Sequence, residues 1–101
     1  MEIVEVFLPL DTGSGTPIAG EIIEGLVGGL ADRFGGATAF TRAPADGLWK
    51  QAGTIKMDRI LIIEVMVNDL DENWWTDYRK KLEDEFEQDE IMIRVTACRT
   101  V

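Results

Sequence analysis

Period-two alternation opens the chain. Residues 2–8, EIVEVFL, are rich in β-branched and aromatic side chains and predict a strand ending at Pro9. The pattern then changes to helical spacing: Ile18, Ile22, Ile23, Leu26, Val27, Leu30 and Phe34 form one stripe from about residue 17 to residue 34. Thr16 is placed to cap this helix, Pro17 suits its first turn, and Gly35-Gly36 stops it. ATAFTRA (37–43) predicts a second strand and IKMDRILIIEVMVN (55–68) a third, with Pro44, Asp46-Gly47 and Gly53 read as turns between them. After the acidic DLDEN, the stripe Trp74, Trp75, Tyr78, Leu82, Phe86 predicts a second helix to about residue 87, with Arg79, Lys80 and Lys81 on its outer side. EIMIRVTA (90–97) alternates and predicts the closing strand.

The resulting order β-α-β-β-α-β is the split pattern of the ferredoxin-like α+β fold. The expectation is a single domain over residues 1–101, an antiparallel four-stranded sheet with both helices on one face. Alternation assigns the other, bare face. It sends Ile3, Glu5 and Phe7, then Ile60, Ile62, Glu64 and Met66, then Met92, Arg94 and Thr96 away from the helices. A face this apolar marks an interface or a ligand surface, and a second copy of the same sheet is the economical cover, giving a homodimer. Leu48 and Trp49, in a stretch otherwise rich in turn residues, fit an arm between strands that folds over the partner or rims the interior. The alternative for Trp49 is a place at the edge of its own core.

Three charges stand among those apolar positions. With strand order 4-1-3-2, Glu5, Glu64 and Arg94 fall in a row across neighbouring strands. Two buried carboxylates beside a guanidinium form the pairing that proton-transfer chemistry requires. A row of ion pairs that fixes the register of an interface uses the same residues. The site candidates are therefore Glu5 and Glu64 as acid or base, with Arg94, Trp49, Phe7 and Met66 as ligand contacts.

Composition narrows the partners. Ten basic against 19 acidic residues give a net charge of −9, which repels nucleic acid and anionic membrane surfaces. Without histidine, the commonest general base and transition-metal ligand is missing, and no metal or cofactor is expected. Cys98 is the single cysteine, the N-terminal residues do not read as a signal peptide, and no apolar run reaches ~20 residues, so a cytoplasmic protein is expected.

Other stretches suggest chemistry less specifically. DTGSGTP ahead of the first helix has the look of an anion-binding turn but neither phosphate-loop spacing, and reads as a connection. Gly25, Gly28 and Gly29 are costly within a helix and suggest close packing of a neighbour. Trp74 and Trp75 point about 100° apart, so one is expected at the rim. The acidic run from Glu83 to Glu90 lacks calcium-loop order and reads as a solvated helix end.

RFGGATAFTRAPADGLWK followed by EVMVNDLDENWWTDYRKKLEDEFEQDEIMIRV resembles a family of small, conserved and uncharacterised bacterial proteins over roughly residues 30–95. The element order is similar to the dimeric α/β-barrel group of small monooxygenases, lactone isomerases and ligand-binding regulators. That resemblance implies architecture only. The functional expectation is a homodimeric small-molecule-binding domain. The alternatives are a cofactor-independent isomerase or monooxygenase-like enzyme using Glu5 or Glu64 with Arg94 as an anion clamp, and a structural interaction protein.

Overall fold

Val4, Val6 and Leu8 have no exposed surface, because alternation along β1 (Glu2–Pro9) turns all three to the same side. The structure is a computed structural model that describes the backbone of residues 1–39, 45–51 and 54–101, with side chains over 1–38 and 59–101. β1 runs antiparallel to β4 (Thr54–Val67), in register from Glu2 opposite Val67 to Pro9 opposite Ile60. On its other side β1 pairs antiparallel with β5 (Ile93–Ala97), and the Phe7 N–H extends that edge by donating to the Met92 carbonyl at 3.0 Å.

The expected four-stranded ferredoxin-like sheet is not what forms. Three antiparallel strands, β4, β1 and β5, make its well-formed centre. Of the segment expected to supply a full second strand, the described residues form β2 (Thr38–Ala39), beside Glu64 and Ile63 of β4, and residues 40–43 of that expectation lie outside the described residues. A further strand, β3 (Ala45–Gln51), runs through Asp46-Gly47, which the sequence pattern marks as a turn. The reason lies in β4, whose 14 residues exceed any one partner: β1 covers Ile60 to Val67, and β3 covers Thr54 to Ile60. Five strands thus share one sheet, and the α+β class stands.

Two helices cover the side to which Val4, Val6, Leu8, Leu61, Ile63, Val65 and Val67 point. In α2 (Glu72–Glu85), the Asp71 carboxylate accepts the Trp74 N–H at 3.1 Å and caps the first turn. Trp75 and Leu82 of that helix, with Phe86 just beyond it, are buried in the core. α1 (Gly20–Phe34) sits more shallowly, with Leu30 buried, Ile23, Leu26, Val27 and Phe34 half-buried, and Ile22 45% exposed. The adjacent tryptophans share one aromatic group because Phe34 fills the angle between them, stacked on Trp75 and edge-on to Trp74, each at 5.1 Å. Trp74 is the rim member, under the Arg33 guanidinium at 4.4 Å.

Thr16 does not cap α1, whose N-cap is Ala19 without a side-chain hydrogen bond. Residues 11–17 instead close on themselves. The Thr12 N–H donates to the Thr16 carbonyl, the Thr16 N–H to Thr12 Oγ1, and the Ile18 N–H back to Leu10, so the helix cannot begin before residue 18 is released. The tip then docks on the end of α2. The Gly13 N–H donates to the Phe86 carbonyl at 3.0 Å, Ser14 Oγ to Glu87 Oε1 at 3.1 Å, and Gln88 Nε2 to the Asp11 carbonyl at 2.9 Å. A side chain at Gly13 would run into the Glu87 carbonyl, and Glu87 itself holds a positive φ of 54°. The Thr12, Gly13, Gly15 and Thr16 amides of the stretch that suggested an anion site are thus used by the chain.

Candidate functional site

The charged row is in register. Glu5 of β1 lies opposite Glu64 of β4 on one side and opposite Arg94 of β5 on the other, with Thr38 of β2 continuing the row beyond Glu64. Strand alternation keeps all of them on the face away from the helices. Apolar pairs flank the row, Phe7 opposite Ile62 and Ile3 opposite Met66. Ile3, Phe7 and Ile62 are half-buried, while Met66 and Met92 remain 43% and 51% exposed.

The charges divide unequally. Arg94 Nε donates to Glu5 Oε1 at 3.0 Å, and the same guanidinium lies 5.1 Å from the Phe7 ring centre. Glu64 makes no hydrogen bond or ion pair among the described residues, although it faces the like charge of Glu5. Directly opposed like charges destabilise a strand pair. The row therefore carries a cation at its β5 end, an ion-paired carboxylate at its centre and, at its β4 end, a carboxylate with no ion pair among the described residues.

Glu5, Glu64, Arg94, Phe7 and Met66 are thus brought together, and Trp49 is not brought to them. Its backbone in β3 is opposite Lys56, eight residues along β4 from Glu64, up to about 27 Å in an extended strand. The Trp49 side chain lies outside the described residues.

Two concavities lie off this face. One of about 700 Å³ is wide open, formed by Glu2 and the 68–73 segment ahead of α2. Among the described residues no group of three acidic or cysteine side chains is placed to hold a metal ion. The second, of about 210 Å³, runs between α2 and β5. It contains Arg79, which the sequence pattern puts on the outer side of the helix. Helical projection could have found it, since Arg79 follows buried Trp75 by four residues and lies over the same flank. In the aromatic group nearby, burial and then the charge of Glu85 push the Tyr78 hydroxyl from 10.0 up to about 12.

The glycines of α1 also depart from expectation. A methyl group at Gly25, Gly28 or Gly29 would meet nothing within 4 Å among the described residues, so no close packing against those residues explains them. Among the described residues no helix is long and apolar enough to cross a membrane.

No family model and no curated protein matches the chain, so the likeness to a family of small bacterial proteins is without support. Solved structures do share the fold. A phage SAM lyase in complex with S-methyl-5'-thioadenosine is similar over 94% of this chain and 79% of its own, with a TM-score of 0.65 at 15% identity. A phage SAM lyase in the apo state gives 0.63 at 14% identity, over 94% and 78% of the two chains. The divalent cation tolerance protein Cut A1 from Thermus thermophilus gives 0.64 at 10% identity, over 100% of this chain and 87% of its own. At these identities the likeness is one of fold, a small domain of strands and helices.

Proposed function

We propose that this protein is a homodimeric small-molecule-binding domain, with two copies joined through the helix-free sheet face and the ligand held beside the Arg94–Glu5–Glu64 row. The in-register row, set among Ile3, Phe7, Ile62 and Met66, is the observation that carries this reading. A second copy suits the face because the row is self-complementary. A two-fold axis parallel to β1 reverses the row, which places Arg94 of one copy over Glu64 of the other. An axis along the row would set like charges together. Stacked sheets stand about 10 Å apart, and long Met, Glu and Arg side chains in that gap leave an interior with charged and apolar walls. The SAM lyase in complex with S-methyl-5'-thioadenosine supports the ligand part, since a related architecture accommodates a molecule of that size. The β3 arm carries the Trp49 backbone away from its own row, so any contact of Trp49 with a row is with the partner's.

Sedimentation equilibrium tests the assembly. The expected mass is twice the 11.3 kDa of the chain, falling to the single-chain value in Ile62→Glu, because a charge placed in a buried apolar interface is costly. A monomeric wild-type protein overturns the reading. S-methyl-5'-thioadenosine is the first probe for the ligand, followed through the Met66 and Met92 methyl resonances.

A further inference from the structure

The groove between α2 and β5 has the makings of a second site, on the helix side of the sheet. β5 is an outer strand, bonded to β1 along one edge, and neither helix closes over its inward residues. Ile93 and Val95 pair with Val6 and Val4, which are wholly buried, yet Val95 is 39% exposed and Ile93 half-buried. Their alternation is that of core residues, and their surface is left open.

The facing wall is one flank of α2. Glu72, Trp75, Thr76 and Arg79 recur at i, i+3, i+4 and i+7, so they share a helix face. Arg79 is half-buried, and its Nε has neither solvent access nor a hydrogen-bond partner. It makes no ion pair among the described residues, in a chain with 19 acidic side chains to choose from. The Nε itself is out of a ligand's reach, so an acceptor entering the groove meets the terminal nitrogens of the same guanidinium, the one cation among the lining residues. Glu72 does not reach it, because seven residues of helix separate the two by about 10 Å of rise.

We infer that the α2–β5 groove binds a compact monocarboxylate, its carboxylate on the terminal nitrogens of Arg79 and its apolar body against Trp75, Ile93 and Val95. The volume of about 210 Å³ equals roughly seven waters at ~30 Å³ each, below the size of drug-like pockets, and suits one ring or a short branched chain. Glu72, at the far end of the same face, repels a second negative charge and so selects against dianions. This site is independent of the sheet-face reading, since it lies on the opposite side of the sheet and its test does not depend on the number of copies.

Benzoate is the probe, with isosteric neutral benzamide and dianionic phthalate as controls. NMR titration of the intact protein should give saturable shifts of the Arg79 Nε–H, the Trp75 indole N–H and the Val95 methyls with benzoate, and affinities weaker by about tenfold or more for both controls. Arg79→Met keeps the aliphatic stem and should lose benzoate binding by a similar factor. Val95→Phe fills the groove from an exposed position without touching the charge and should do the same, which keeps the test valid if Arg79→Met fails to fold. Equal affinity for benzamide and benzoate, unchanged benzoate binding in the variants, or no saturable shift at Arg79 Nε overturns the assignment.

Discussion

Arg94 holds Glu5, not Glu64: its Nε donates to Glu5 Oε1 at 3.0 Å while Glu64, directly across β1 from Arg94, faces Glu5 with no cation of its own among the described residues. The Arg94 side chain is 56% exposed and that of Glu5 only 17%, so the pair straddles the boundary between solvent and sheet. One carboxylate thus has a cation within the chain, and the other has none among the described residues.

Opposite signs of substitution follow for the two ends of the row. In the isolated protomer Glu64→Gln removes only repulsion and should raise stability by a few tenths of a kcal/mol, roughly 0.2–1 at most. Arg94→Met leaves two unbalanced carboxylates and should lower it by about 0.2–1 kcal/mol, the range of exposed pairs. In the proposed dimer Glu64 meets Arg94 of the partner copy, so Glu64→Gln also weakens association. Melts over a concentration series check both parts: the variant should melt above wild type when dilute, and wild type should gain more as concentration rises. A Glu64→Gln advantage that does not shrink with concentration would count against the crossed pairing.

How much of this was legible in sequence depends on the range of the interaction that decides each feature. The row was legible because period two fixes the face of each residue in β1, β4 and β5, and the split β-α-β-β-α-β pattern places the first strand between the long strand and the last one. The sheet was misjudged where the length of a neighbouring strand overrides local turn chemistry: Asp46-Gly47 has turn residues, yet it lies in β3 because the outer half of β4 needs a partner. Thr16 and Pro17 carried good cap signals that lost to the closed Thr12–Thr16 turn. Arg79 was missed because charge alone suggested solvent, and a long aliphatic stem can lie in a groove.

Gly25 and Gly28 supply a further check. Both lie within α1, each with nothing within 4 Å of an added methyl among the described residues, so Gly25→Ala and Gly28→Ala should each raise stability by about 0.5–1 kcal/mol through backbone entropy. Denaturant melts of the two single variants measure it. A loss of stability together with a smaller sedimenting mass would instead place a neighbouring copy against this helix.

The last expectation concerns alkaline stability and rests on Tyr78. Its hydroxyl is pushed from 10.0 up to about 12, chiefly by burial among Trp74, Trp75 and their neighbours and further by the charge of Glu85. Burial disfavours the phenolate, so the native chain keeps its proton where the unfolded chain has released it. Below pH 10 both states are protonated and the group contributes no pH dependence. Between the unfolded value near 10.0 and the folded value near 12 the unfolded state binds fewer protons, so stability falls as pH rises, and the slope vanishes again above the folded value. Tyr78→Phe should flatten this window relative to wild type while leaving the fold in place, since the ring contacts with Trp74 and Trp75 are kept. Urea melts of wild type and Tyr78→Phe at a series of alkaline pH values measure the difference directly, and parallel curves across the window would show that Tyr78 ionises as freely in the folded protein as in the unfolded chain.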